Sequence, residues 1–243
     1  MRSGHLDAIA KLKRPNNLEP IAVADCWQTR ADEGAKRVGA ERAFQDYRRV
    51  LDIDEIDYVT IATPEHWHCD MTLAAMDAGK AVYCEKPMTH TIPEALQVVN
   101  KQQETGLPLQ VGVQAMSDDS YISARKAIRD GVLGQVVQAQ IEYVRRYGEQ
   151  GPWRVPGLDS NQPKPADLDW KSWLGHAPQI DWNPHHYFEW RNYSHYSGGI
   201  ATDLFIHRIT RIMKACDLLF PRRVVGMGGI WQWPDGRNLP DNF

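Results

Sequence analysis

Short apolar runs alternate with amphipathic stretches through the first half of the chain. Residues 18–25 (LEPIAVAD) are strand-like, and residues 32–38 have helical spacing that stops at Gly39. A further helix is predicted over about residues 43–51, then a strand over 56–63 (IDYVTIAT) and a helix over about 68–78 with Gly79 just past its end. A buried strand starts at Ala81. The next helix is opened by Thr91 and Glu94, spaced as a capping box, with Pro93 in its first turn; Gly106 closes it, and residues 107–114 (LPLQVGVQ) are one more strand. Near-continuous apolar strands alternating with helices predict an α/β fold with a parallel, doubly wound sheet, Rossmann-like in arrangement.

The opening departs from that plan. Residues 5–13 (HLDAIAKLK) have helical spacing, so the chain begins inside a helix, with the single glycine Gly4 and only Met1, Arg2 and Ser3 ahead of it. A dinucleotide-binding fold needs a strand there and a glycine-rich turn. In the usual strand order the missing first strand is the central one, so a gap with unpaired backbone on both neighbours is expected. Residues 1–115 therefore read as a dinucleotide-binding domain without its first strand and glycine loop. The chain itself reads as a fragment or an incompletely defined gene.

After about residue 115 the pattern changes. Residues 117–130 are helical up to Gly131, and residues 135–147 (QVVQAQIEYVRRY) alternate as a long strand does. Residues 148–197 are rich in Pro, Trp, Tyr and His without periodicity. Gly198-Gly199 opens a helix to about residue 216, and residues 221–233 give another strand. Residues 116–243 thus read as a partial α+β substrate domain whose mainly antiparallel sheet is incomplete, and both ends read as cut.

Length and charge narrow the function classes. The 243 residues carry a net charge of −3 with acids and bases interspersed, so no basic stripe suggests nucleic acid and no cationic face suggests a membrane surface. No window is apolar enough to span a bilayer. Cys26, Cys69, Cys84 and Cys216 are scattered, which reads as reduced thiols. The lack of a signal peptide carries no weight with such a start.

Four groups could carry chemistry. Residues 83–87 (YCEKP) end an apolar run in an acid, a base and a proline, at the carboxyl end of a strand, where open α/β sheets bind ligands. Pro87 limits Lys86, although Glu-Lys-Pro is also an ordinary way to leave a strand. Asp25 ends the second strand of the expected order, where an acid accepts hydrogen bonds from an adenosine ribose; it also suits a helix cap. Thr63 and Pro64 follow the next strand and suit a nucleotide pocket that His68 could reach. His66 and His68 invite a metal reading, but no third ligand lies nearby in sequence, so none is assigned. Asp203 and His207 stand four apart, on one helix face, as a carboxylate that orients a basic imidazole or as a surface ion pair. The aromatic stretch suits sugar rings, and equally a packed loop or an interface; about half of it reads as structural.

Together these residues resemble the Gfo/Idh/MocA family of oxidoreductases. The similarity rests on Ile61-Ala62-Thr63-Pro64, His68, Ala78-Gly79-Lys80 and Cys84-Glu85-Lys86-Pro87, and on Tyr196-Ser197-Gly198-Gly199 with Asp203 and His207. It implies that Asp25 holds the ribose, that Thr63, Pro64 and His68 line the cofactor cleft, and that Glu85 contacts the nicotinamide side. Lys86, Asp203 and His207 would surround the carbon that gives up hydride. Two departures stand out: the N-terminal glycine fingerprint is absent, and Glu65 stands where many relatives carry Asn, so that cofactor contact is expected to differ. The resemblance implies an NAD-dependent oxidoreductase, with NADP as the alternative, acting on a sugar, cyclitol or related polyol. Transient oxidation that eliminates a glycosidic substituent is the other reaction it allows, and a catalytically incompetent fragment is the non-enzymatic reading. It further implies a homo-oligomer built through the C-terminal sheet, and a cytoplasmic location with export of the parent left open.

Overall fold

Short apolar runs covered by helices make the strands of the first half. The computed structural model describes residues 4–13 and 15–243. Strand β1 (Ala22–Ala24) pairs in parallel with β2 (Arg42–Phe44), Val23 lying opposite Ala43. Strands β3 (Tyr58–Ile61), β4 (Ala81–Glu85) and β5 (Leu109–Gly112) form a second parallel sheet in that order, with Ile61 opposite Cys84 and Glu85 opposite Gly112.

Helices α1 (Gly4–Leu12), α2 (Gln28–Val38), α3 (Arg48–Leu51), α4 (His68–Asp77) and α5 (Ile92–Thr105) alternate with these strands. The capping box that opens α5 forms as expected, with Glu94 N–H donating to the Thr91 hydroxyl and Thr91 N–H to the Glu94 carboxylate. Helix α1 packs on α2. At Gly34 of α2 a Cβ would stand 3.0 Å from Val23 Cγ1, so glycine permits this close approach of helix to strand. Ile61, Ala75, Met76, Val82 and Cys84 form the buried core of the three-stranded sheet.

The expected gap is present. The facing edges of β1 and β3 do not pair among the described residues, and a cavity of about 2240 Å³ separates them. Residues 43 and 44, expected to open a helix over about 43–51, instead belong to β2. Their backbone joins the ladder of β1, and helical geometry starts only at Arg48.

The second half differs from its alternating pattern. Residues 135–147 and 221–233 form no ladder among the described residues, where only isolated bridges occur, Trp27 with Leu168 and Gly229 with Asn242. Alternation yields a strand only when a partner supplies the hydrogen bonds, and among the described residues these segments find none beyond the Gly229–Asn242 bridge. Val137 and Val144 are accordingly exposed. What does form is helical: α6 (Asp119–Arg129), α7 (Trp170–Leu174), α8 (Pro184–Phe188) and α9 (Ile206–Ala215). Arg125 and Arg129 of α6 both bind Asp217 beyond α9. No helix among the described residues is long and apolar enough to cross a membrane.

The aromatic stretch is mainly core. Trp170, Trp173, Tyr187, Trp190, Tyr193 and Tyr196 are each 8% exposed or less, and they pack against Cys26 and Trp27 at the end of β1. Trp170 and Trp173 stack with centroids 4.8 Å apart. Faces buried in one another are not free to stack on a sugar.

Candidate active site

Strand β4 delivers the first element of the site. Cys84 is fully buried, and the chain then leaves the sheet through Glu85, Lys86 and a cis peptide to Pro87. Glu85 lies opposite Gly112, where a Cβ would come within 3.0 Å of the Glu85 carboxylate and 2.7 Å of the Tyr83 hydroxyl, so glycine leaves both side chains room to lie over β5. The Glu85 carboxylate accepts from Lys86 N–H at 3.0 Å and meets His5 Nε2 of α1 at 2.7 Å. Burial pushes its pKa up, but His5 and the Lys86 amide outweigh this and hold it below the ordinary value.

The second element arrives from the far half of the chain. Lys86 Nζ donates to Asp203 twice, to the backbone carbonyl at 2.6 Å and to Oδ1 at 2.8 Å. Arg191 Nε donates to the same Oδ1 at 3.1 Å, and its guanidinium lies 4.0 Å over the Trp190 ring. The Lys86 and Asp203 side chains are 12% and 6% exposed, so this is a shielded, charge-assisted contact.

His207 stands beside this pair in a different manner from that expected. A π-helical segment, Ile200–Leu204, carries Asp203, and α9 with His207 starts only at Ile206. The four-residue spacing therefore does not place the two side chains in a simple α-helical pair. No hydrogen bond among the described residues joins Asp203 to His207; Asp203 turns to Lys86 and Arg191. Burial and the Lys86 charge hold the His207 pKa below its ordinary value, against the opposing pull of Asp203 and Glu85. The ring is thus neutral near pH 7 and able to accept a proton.

The first-half residues expected at a cofactor cleft separate into two groups. Asp25, Thr63 and Pro64 line the large cavity between the sheets, whereas Glu85, Lys86, Asp203 and His207 lie outside it. Asp25 does serve as a cap, its Oδ1 accepting from Trp27 N–H at 2.9 Å, while Oδ2 has no partner among the described residues. Burial raises its pKa against the Trp27 amide and Arg30. Thr63 Oγ1 is buried without a partner among the described residues. A free carboxylate oxygen and an orphaned hydroxyl at strand tips that line one cavity fit a polyhydroxylated ligand such as a nucleotide.

His68 does not line that cleft. Its ring is 1% exposed, with Nδ1 2.6 Å from Pro87 O and Nε2 3.0 Å from Thr63 O, so it ties the two strand-tip loops together. Burial lowers its pKa, opposed by these carbonyls. His66 is turned elsewhere, to Trp173 O at 3.1 Å, and burial pushes it down to about 3. The two histidines thus take separate carbonyl partners, and no group of three metal-ligating side chains occurs among the described residues.

Arg191 lies in the aromatic stretch twelve residues before Asp203, among the polar residues that suit a sugar, and nothing in the sequence ties it to Asp203. His5 was not legible as a site residue and looked like an ordinary first-turn residue. Glu65 was singled out, but as a cofactor-side difference; its carboxylate lies buried against residues 197–202.

Comparison with known proteins agrees with this architecture. Residues 3–113 match the family described as oxidoreductase family, NAD-binding Rossmann fold, and residues 119–217 match its C-terminal alpha/beta domain. The chain belongs to the Gfo/Idh/MocA family of oxidoreductases. It is 34% identical over 117 residues to scyllo-inositol 2-dehydrogenase (NAD(+)) of Bacillus subtilis, covering 48% of this chain and 34% of that protein. It is 29% identical over 123 residues to levoglucosan dehydrogenase of Pseudarthrobacter phenanthrenivorans, covering 51% of this chain and 32% of that protein. The matched segment is thus about a third of these curated relatives. The fold is that of an oxidoreductase domain protein from Kribbella flavida, with TM-score 0.65 and 21% identity over 88% of this chain and 50% of that one.

Proposed function

We propose that the protein is an NAD-dependent dehydrogenase of a sugar, cyclitol or related polyol, with NADP as the alternative cofactor. The observation that carries this reading is the contact of Lys86, at the tip of β4, with Asp203 from the other half of the chain, beside a neutral His207. Asp25 would hold the adenosine ribose through its free oxygen, and Thr63 and Pro64 would line the cleft. Glu85 would stand on the nicotinamide side. When bound, the nicotinamide supplies the hydride acceptor. His207 would take the proton of the substrate hydroxyl while the carbon loses hydride, leaving a carbonyl. Lys86 would donate to that same oxygen and stabilise its developing charge. Asp203 would align Lys86, and Arg191 would hold the Asp203 carboxylate in place.

The same proposal takes residues 1–115 as the cofactor domain and 116–243 as the substrate domain. It also places the protein in the cytoplasm, as a homo-oligomer formed through residues 135–147 and 221–233, whose apolar side chains such as Val137 and Val225 are exposed. Light scattering in solution checks the assembly.

The test of the activity is the appearance of NADH when the protein is offered scyllo-inositol or levoglucosan with NAD. Net NADH with a ketone product supports the dehydrogenase. A glycosidic substrate cleaved without net NADH would instead assign the oxidation–elimination reaction. No turnover of any polyol or glycoside would overturn both.

A further inference from the structure

We propose that Glu65 is a positioning residue for the reaction: its buried carboxylate fixes the segment carrying Asp203 to the loop that follows β3. This rests on the function proposed above. It differs from a cofactor contact, because the Glu65 side chain points away from the cleft lined by Thr63 and Pro64 and is 1% exposed.

Three donors from the far half of the chain converge on it. Oε1 accepts from Ser197 Oγ at 2.6 Å, and Oε2 accepts from Gly198 N–H at 3.0 Å and Thr202 Oγ1 at 3.2 Å. Ser197 Oγ itself accepts from Gly199 N–H at 2.9 Å, which leaves its own hydrogen for Glu65. No cation pairs with Glu65 among the described residues, so neutral donors alone hold a buried carboxylate. Removing such an acceptor strands several buried donors at once.

The local backbone is shaped for this grip. Gly199 takes φ 65°, ψ −144° and has no side chain with which to cap the helical turn it begins. A Cβ on Gly198 would collide with Thr202 Oγ1, so glycine lets Thr202 close over the turn. Glu65 thus grips the residues that lead into the turn and the Thr202 side chain within it, rather than the first-turn amides that a helix cap would take. Neighbouring contacts close the same seam, with His66 N–H donating to Tyr196 O at 3.3 Å and Trp67 Nε1 to Trp173 O at 2.8 Å.

The consequence falls on the next residue. Asp203 follows Thr202 directly, and both its backbone carbonyl and its carboxylate hold Lys86. A shift of the turn by about 1 Å would break a hydrogen-bond geometry that tolerates little change, with a rate loss of up to about a hundredfold.

The test compares Glu65→Gln and Glu65→Ala in the 243-residue chain by two independent measurements. The first is the titration of His207 by NMR, which needs no turnover. His207 faces Lys86, Arg211, Asp203 and Glu85; burial first and the Lys86 charge second hold its pKa down, and loosening of the turn would relieve both. Displacement of the turn from Lys86 should therefore raise the His207 pKa toward its ordinary value, more in Glu65→Ala than in Glu65→Gln. The second is kinetic: kcat for scyllo-inositol should fall at least about tenfold in Glu65→Ala, with NAD affinity by calorimetry kept within about twofold. Should Glu65→Ala fail to fold, the near-isosteric Glu65→Gln carries both measurements. An unchanged His207 titration in the folded variants would overturn the proposal, as would a tenfold loss of NAD affinity at constant kcat. Absence of turnover in the wild-type chain would count against the proposed function, and the titration would still decide the role of Glu65.

Discussion

Lys86 and Asp203, 117 residues apart, are joined twice: the lysine amine donates to both the backbone carbonyl and the carboxylate of the aspartate. A lysine that meets a backbone carbonyl is fixed by the path of the partner segment as well as by its side chain. The β4 tip and the turn at residues 200–204 therefore hold one geometry, and Arg191 shares the carboxylate.

Asp203→Asn should keep the backbone carbonyl contact and lower kcat less than loss of Lys86 does, by about tenfold. Asp203→Ala should also leave Lys86 and Arg191 without their buried carboxylate and reduce stability by about 3–5 kcal/mol. Chemical denaturation of the two variants separates these effects; equal stability would show that the shared carboxylate does not hold the seam.

Asp25→Ser should shift cofactor preference from NAD toward NADP by about tenfold in the ratio of kcat/KM values, or about 1.4 kcal/mol, by removing a charge that repels a 2′-phosphate. A flat ratio would leave Asp25 as the cap of the Trp27 amide alone.

The contact of His5 with Glu85 predicts a pH window. Its hydrogen bond to Glu85 raises the His5 pKa above 6.5, so its contribution is fully present below 6.5 and is lost as pH rises through the raised value. Glu85 is held below 4.5, so its contribution is present above 4.5 and is lost as pH falls through the lowered value. The difference in stability between wild type and His5→Ala should be greatest between 4.5 and 6.5, and with His5 32% exposed it should not exceed about 1 kcal/mol. A difference that grows with alkalinity would contradict the pairing.

Three thiols should resist alkylation in the folded protein. Burial pushes Cys69 to about 11 and Cys84 to about 12, and Cys26 higher still, so little thiolate exists at about pH 8. Mass spectrometry after brief maleimide treatment should find these three unmodified natively and modified in urea. Native labelling of Cys84 would contradict its position in the sheet core.

Local signals were legible where local physics decides. The capping box at Thr91 and Glu94, the stop at Gly106 and the strand ending just before Lys86 depend on neighbours in sequence, and all are present. The gap between β1 and β3 followed from counting strands. The rest depended on distant partners. Arg42–Phe44 became a strand because β1 offers it a ladder, and residues 135–147 did not because none of the described residues does so. The aromatic stretch gave no sign of which faces would be buried. The i, i+4 spacing of Asp203 and His207 assumed an α-helix, and a π turn redirected the aspartate to Lys86. His68 and Glu65 flank a cleft loop in sequence, yet both side chains are buried among backbone and hydroxyl partners.

In the proposed function, Lys86 and His207 carry the chemistry of polyol oxidation. Pre-steady-state formation of NADH with scyllo-inositol, in wild type, Lys86→Ala and His207→Ala, tests it most directly. Each substitution should slow the hydride step by about two to four orders of magnitude while NAD affinity stays within about twofold. Hydride transfer at the wild-type rate in either variant would contradict it.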